Sequence, residues 1–373
     1  MNELIWIEVI KDNLIQNIQT IREVIGEKTI LAACVKGNAY GHGLVPIANI
    51  FVENGVNWLC INSIEEAEQL RKAGVKVPLL ILGYVQEGDL EKVFLQDVRI
   101  FVYNKDTLNI LSRLSQVHKK TAIVHLKIDT GMSRQGILPN DIVSFLSNII
   151  TLPGIIVEGI ATHFATADNG KEDIMFHKQL QVFELIKKEV AIAFPTKTFL
   201  FHASNSAAIL IHPEAKYDLV RPGSALYGYY PSQIVELISK QSNIFLKPAL
   251  RLKSKIAQIK TVPKGSCVSY GCTFITKRRT KLALVPVGYA DGLKRDLSND
   301  WEVIIGGRRS EVCGRICMGM FLVDITHIPN IKLEDEVIIL GETNTVSVMK
   351  QKLDSVEGEI LTGLRESIRR YYI

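Results

Sequence analysis

The chain has 373 residues, 47% hydrophobic and 22% charged, with 44 basic against 39 acidic residues and a net charge of +5. Such a chain buries a sizeable core, which excludes a disordered or fibrous protein. The densest basic stretch, Lys277-Arg278-Arg279-Thr280-Lys281, reads as a solvated turn, and nucleic acid as a partner would call for a broader basic footprint.

The first eight residues lack the basic-then-apolar order of a signal peptide, and no apolar run is long enough to span a bilayer. The expected location is the cytoplasm, with the cytoplasmic part of a longer membrane protein as an open alternative. Up to about residue 230, short β-branched apolar runs alternate with helical text. The runs are 29–35, 58–61, 79–82, 100–103, 122–128, 155–162, 198–202 and 219–227; the clearest helical stretches are 63–73, 105–117 and 172–191. Unbroken apolar strands alternating with helices predict a parallel sheet covered on both faces. Eight units predict an N-terminal (β/α)8 TIM-like barrel, with an open doubly wound sheet as runner-up. Near 237–248 the text changes. Longer alternating runs follow at 250–262, 281–287, 302–305 and 336–340, with helical text only at 346–353. The fold class is α/β: a barrel over 1–238 and a C-terminal mostly-β domain over 239–373.

The spacings Cys313-x-x-x-Cys317 and Cys267-x-x-x-x-Cys272 are loose for a metal and have no histidine pair nearby. No metal is expected, and the six cysteines, with Cys34 and Cys60, are expected to be buried or half-buried thiols.

Barrel chemistry sits where strands end and βα loops begin. Here the strand exits carry Lys36-Gly37-Asn38-Ala39-Tyr40, Lys127 through Arg134, Thr162-His163, Asn205-Ser206 and Arg221-Pro222-Gly223-Ser224. A lysine ending an apolar strand is partly desolvated, and an amine held this way forms Schiff bases with carbonyl compounds. Asn205-Ser206 and Gly223-Ser224 follow the seventh and eighth strands, where barrels commonly bind phosphate. Lysine and phosphate site together suggest pyridoxal phosphate. Arg221 can only donate, so a pyridine nitrogen facing it would stay unprotonated and favour simple proton removal and return. Taken singly, each also has a structural reading: Lys36 as a surface lysine, Ser206 as a helix cap, Arg221 as half of an ion pair, and Tyr270 as a strand aromatic.

Over nearly its whole length the chain resembles the alanine racemase family. The resemblance rests on Val35 through Gly43, Lys127-Ile128-Asp129-Thr130-Gly131-Met132, Thr162 through Asp168, Asn205-Ser206-Ala207-Ala208, Val220-Arg221-Pro222-Gly223, Ser269-Tyr270-Gly271, Gly288-Tyr289-Ala290-Asp291-Gly292 and Gly314-Arg315-Ile316-Cys317-Met318. It implies a head-to-tail homodimer with shared active sites, acting on a small amino acid. Lys36 would carry pyridoxal phosphate and be one catalytic base; Tyr270 of the partner's β-domain would be the other. Tyr40, Ser206, Gly223 and Ser224 would hold the phosphate, and Arg221 the pyridine nitrogen, with His163 behind it. Arg134 would contact cofactor and substrate carboxylate, oriented by Lys127 as a carbamate. Met318 would offer its backbone N–H to the carboxylate, Tyr289 would line the entry, and Asn205 would support the phosphate loop. Gly37, Gly319 and Glu366 depart from the family pattern. Glu366, aligned near a pocket position within one residue, is expected to point away or to pair with Arg365 or Arg369. It keeps serine open beside alanine as substrate, as in the serine racemases of vancomycin resistance. A decarboxylase of the same barrel class and a non-catalytic cofactor carrier are the remaining readings.

Overall fold

The computed structural model describes residues 3–341 and 345–373. The chain forms two compact units. One comprises Leu14–Ala39 and Leu44–Lys247; the other comprises residues 3–13, Tyr40–Gly43 and Pro248–Ile373. The division expected at 238/239 therefore lies near 247/248, and two short N-terminal pieces belong with the β-rich unit. β1 (Ile5–Val9) joins that unit because it pairs antiparallel with β10 (Leu250–Lys255) and parallel with β19 (Arg369–Tyr372). Gly41 and His42 join it through their carbonyls, which accept from Arg370 Nε and Tyr372 Oη, each at 2.8 Å. The stretch up to Lys247 stays with the barrel, where Asn17 bonds both the N–H and the carbonyl of Lys247, at 2.8 and 2.9 Å.

The barrel sheet runs in the order β8-β7-β6-β5-β4-β3-β2-β9. These strands are β2 (Ile30–Cys34), β3 (Trp58–Ile61), β4 (Leu79–Ile81), β5 (Val98–Val102), β6 (Ala122–Lys127), β7 (Ile155–Ala161), β8 (Leu200–His202) and β9 (Leu219–Val220). All pair in parallel. β8 and β9 meet through Asp218 N–H to Phe201 C=O and Arg221 N–H to Ser204 C=O, each at 3.0 Å, which nearly closes the barrel. β3 and β4 are buried along their whole length, which is why they read as unbroken apolar runs. Helices start where the sequence signals them: Ser63 caps Ile64–Lys72 and Asn104 caps Lys105–His118.

In the second unit, the run 250–262 is two strands. It breaks at Ile256-Ala257, so β10 enters a six-stranded sheet while β11 (Gln258–Val262) enters a three-stranded one with β14 (Thr280–Val285) and β17 (Phe321–Asp324). A separate hairpin pairs β12 (Cys267–Val268) with β13 (Phe274–Ile275). Val268 sits with Leu282 and Cys313 in a buried cluster beneath it. Lys277, Arg278 and Arg279 form the exposed bend before β14, as expected of a solvated turn.

The cysteine expectation holds for Cys34, Cys60 and Cys313, which are buried, and for half-buried Cys317. It fails for Cys267 and Cys272. Both are exposed, and the turn of the hairpin folds their Cα atoms to 4.9 Å, where they are joined by a disulfide. Sequence spacing alone does not reveal that reversal of the chain.

Candidate functional site

In the barrel, parallel pairing brings Lys36, Lys127, Arg134, His163, Asn205, Ser206, Arg221, Gly223 and Ser224 to the loops at one end of the sheet. Lys36 follows β2, and Arg221 follows β9, its neighbour in register (Leu31 opposite Val220). After Lys36 the backbone turns left-handed through Gly37, Asn38, Ala39 and Tyr40, with φ of 64°, 54°, 53° and 51°. Each such non-glycine residue costs about 1–2 kcal/mol, and glycine takes the first position freely, which accounts for Gly37. Asn38 Oδ1 steadies the turn by accepting from Leu44 N–H at 2.7 Å. Glu66 holds its start, accepting from Gly37 N–H at 2.7 Å and from Asn62 N–H at 2.6 Å. Lys36 itself is half-buried.

Arg221 is 4% exposed. Its guanidinium donates to the carbonyls of Thr162 at 2.8 Å and Ala203 at 3.1 Å, lies 3.5 Å from His163 Nδ1, and bonds His202 Nδ1. From there a chain of bonds crosses the barrel. His202 Nε2 meets His125 Nδ1 at 2.8 Å, and His125 Nε2 meets Glu158 at 3.0 Å. Arg99 grips both Glu158 oxygens at 2.8 and 3.2 Å and stacks 4.7 Å over Trp58. Arginine only donates and an ionised carboxylate only accepts. The two imidazoles between must therefore each carry their proton on Nε2 and pass donation one way, from Arg221 to Glu158. The electrostatics agree. Burial, then the charge of Arg221, pushes both His202 and His163 well below the usual histidine value. Burial likewise lowers His125. Burial alone would raise the Glu158 carboxyl, but hydrogen bonds from His125 and Arg99 outweigh it and bring it to about 2.

Ser206 Oγ accepts from Gly223 N–H at 2.9 Å and Ala225 N–H at 3.2 Å, tying the loops after β8 and β9 together. Asn205 caps the helix Ser206–Ile211. Arg134 is exposed on a tight loop after β6. Asp129 Oδ1 accepts from Gly131 and Ser133 N–H groups, and Ile137 N–H returns to Lys127 C=O at 2.8 Å. At Gly136, with φ +141°, a Cβ would fall 2.4 Å from Asp129 N. Lys127 is buried beneath this loop; burial, then Arg221 and Arg134, holds its amine well below the usual lysine value. Buried Gln179 joins the loops after β6 and β7 by donating to Thr130 Oγ1 at 3.2 Å and His163 C=O at 3.1 Å.

In the β-rich unit, Tyr270, Tyr289 and Met318 lie on one cluster of loops. Ser269 Oγ donates to Arg315 C=O at 2.6 Å, Tyr289 N–H to Cys317 C=O at 3.1 Å, and Ala290 N–H to Met318 C=O at 2.9 Å. Their side chains are exposed by 71%, 44% and 62%. A Cβ on Gly288 would lie 2.2 Å from Cys317 O, so only glycine permits this approach. Tyr40, half-buried, ends the left-handed turn and belongs to this unit. Glu366 is exposed, and its carbonyl accepts from Arg370 Nη1 at 2.6 Å. The expected partners are engaged elsewhere, Arg365 with Asp291 at 3.1 Å and Arg369 with Glu3 at 3.0 Å. The buried side chains on either side of it are Leu364 and Ile368. Gly319 is exposed, with open space where a side chain would stand. Among the described residues, no group of three or more His, Cys, Asp or Glu side chains is placed to hold a metal, and no helix is long and apolar enough to cross a membrane.

Sequence reading missed His202, His125, Glu158 and Arg99 as a unit. The available signal was two histidines and a glutamate inside otherwise apolar strand runs.

Residues 9–231 match the family Alanine racemase, N-terminal domain, and residues 249–372 match Alanine racemase, C-terminal domain. The alanine racemase of Halothermothrix orenii is 38% identical, covering 98% of this chain and 96% of the relative. That of Clostridium perfringens is 40% identical over 99% of this chain and 95% of its own length. The structure of alanine racemase from Clostridium difficile superposes with a TM-score of 0.94 at 34% identity, covering 100% of this chain and 96% of that one. The alanine racemase of Bacillus anthracis with bound L-Ala-P gives 0.91 at 33% identity, covering 100% and 96%. The chain belongs to the alanine racemase family and is an isomerase that racemises an amino acid.

Proposed function

We propose that this protein racemises alanine with pyridoxal phosphate and two bases, Lys36 of one subunit and Tyr270 of a second copy in a homodimer. The observation that carries this reading is the placement of Lys36 and Arg221 at the exits of adjacent strands, with Arg221 held as a buried donor. The donor set fits the cofactor: an amine at Lys36, a hydroxyl at Ser206 on which two backbone N–H groups converge, and a guanidinium that cannot lose its proton. Lys36 would bond the aldehyde carbon. Ser206, Gly223, Ser224 and Tyr40 would take the phosphate, with Asn205 fixing the turn that presents Ser206. Arg221 would face the pyridine nitrogen, with His163 beside it.

When bound, pyridoxal phosphate supplies a conjugated ring that draws electrons from the substrate α-carbon. Arg221 would leave the ring nitrogen unprotonated and so restrain side reactions; the His202–His125–Glu158 chain helps hold its guanidinium in place. Arg134 binds the substrate carboxylate, helped by Met318 N–H, while Tyr289 lines the entry. A neutral Lys127 amine is the form that takes up carbon dioxide, and the resulting carbamate anion would orient Arg134. Lys36 moves the α-proton on one face and Tyr270 on the other, the phenol being aided by a cationic, water-poor site. Exposure of Tyr270, Tyr289 and Met318 suits residues that serve a second subunit.

The use we assign is D-alanine supply for peptidoglycan precursors in the cytoplasm. Serine is not favoured, since the relatives are alanine racemases and Glu366 points to solvent. The test loads the protein with pyridoxal phosphate and follows L-alanine and L-serine separately by chiral chromatography. D-alanine forming faster is expected. Equal or faster D-serine overturns the substrate assignment, and no turnover of either overturns the reading.

A further inference from the structure

Within its own chain Tyr270 has little packing, being 71% exposed, so its place there is set by the loop that carries it. That loop joins β12 to β13 and is conformationally unusual. Ser269, Gly271 and Cys272 all have positive φ, at 64°, 70° and 49°. Non-glycine residues hold such a conformation only where surrounding bonds over-determine it. Three constraints do so here. Val268 anchors one strand in the buried cluster with Leu282 and Cys313. Ser269 Oγ donates to Arg315 C=O at 2.6 Å and lies 3.4 Å from Cys317 Sγ. The Cys267–Cys272 disulfide then closes the loop directly around Tyr270, with Cα atoms 4.9 Å apart.

We propose that the Cys267–Cys272 disulfide and Ser269 are positioning elements for Tyr270, and that reductive opening of the disulfide slows the proton transfer assigned to that tyrosine. The proposal rests on the two-base reading above. Disulfides in a reducing cytoplasm are usually transient and redox-sensing, so a crosslink at this place couples racemisation to the thiol state of its surroundings. The bond is opened by a water-soluble phosphine, which leaves an aldehyde cofactor intact. The S–S bond breaks, the phosphine is oxidised to its oxide with oxygen from one water, and the two protons of that water complete the two thiols.

The experiment uses the loaded enzyme as purified, the phosphine-treated enzyme, and the variants Cys267→Ser/Cys272→Ser, Ser269→Ala and Tyr270→Phe. Thiol titration of the denatured chain should count four before treatment, matching the four free cysteines, and six after it. Six thiols in fully active, untreated enzyme overturn the proposal. In the reduced enzyme and the double serine variant, kcat should fall about tenfold, with cofactor absorbance and melting temperature kept. Ser269→Ala should act in the same direction. With α-deuterated D- and L-alanine assayed separately, the primary isotope effect should rise for one enantiomer only, the one whose proton Tyr270 takes. A merely structural role would not move that asymmetry, so unchanged or equally changed isotope effects overturn the proposal. Should Tyr270→Phe retain turnover, the two-base reading fails and the clamp with it. Should Tyr270→Phe be inactive while reduction and the double variant leave kcat and isotope effects as in wild type, the clamp alone fails.

Discussion

In the barrel, Arg221 is 4% exposed and bonds Thr162, Ala203 and a histidine chain that ends at Glu158 and Arg99. In the β-rich unit, Tyr270 is 71% exposed and is placed by backbone loops instead. The contrast separates two tasks. A group whose charge and direction of donation must stay fixed is buried and bonded on every side the fold can offer. A group that must meet a substrate proton is left open, and the fold spends its bonds on the segment beneath it.

The largest expected effect falls on the barrel side. Lys36→Ala should lower racemisation by more than about 10⁴-fold and abolish the absorbance of covalently held cofactor. Retention of the absorbance of lysine-linked cofactor in that variant would break the assignment. Tyr270→Phe should cost about 10³-fold in turnover while leaving the absorbance intact, so the two units separate by spectrum even where both lose activity.

Gly136→Ala places a Cβ 2.4 Å from Asp129 N at a φ of +141°, displacing the loop that carries Arg134. The KM for alanine should rise about tenfold with kcat less affected, as expected when ground-state binding is lost. A changed kcat at constant KM would move Arg134 from binding to chemistry.

The smallest effect is on stability in acid. His202 and His125 are lowered from the ordinary 6.5, so they are neutral when folded while the unfolded chain takes up protons below that pH. Their contribution is lost as pH falls from 6.5. Glu158 lies at about 2 against an ordinary 4.5, so its contribution is present above 4.5 and lost as pH falls towards 2. Both act in the same direction, and both act on the barrel. With Trp6→Phe and Trp301→Phe, Trp58 remains as the one tryptophan and reports the barrel beside Arg99 and His125. Its fluorescence transition in acid should shift to lower pH in His125→Leu/His202→Leu; no shift would mean that the chain does not set acid stability.

The barrel is legible in sequence because its strands are covered on both faces, so 58–61 and 79–82 read as apolar runs without structural context. β1 is not legible: its partners, β10 and β19, lie far along the chain, and nothing local announces them. The run 250–262 conceals a change of sheet at Ile256-Ala257, because alternation continues through the break. The residues of the candidate site stand out by type at strand exits, Lys36 and Arg221 most clearly. The chain from His202 to Arg99 does not, since each member looks like a single polar lapse until the barrel brings four strands' worth of them into line. The Cys267–Cys272 pairing is hidden for the same reason, depending on a turn that spacing alone leaves open.

In the reading proposed above, catalysis joins the barrel of one subunit to the β-rich unit of another. Lys36→Ala and Tyr270→Phe proteins, each inactive alone, would be mixed, dissociated and reassociated. Shared sites predict that the mixture recovers activity, up to about a quarter of wild type for random pairing, because each mixed dimer holds one intact Lys36–Tyr270 site. No recovery, with mixed dimers shown to form, would place both bases in one chain and contradict the account.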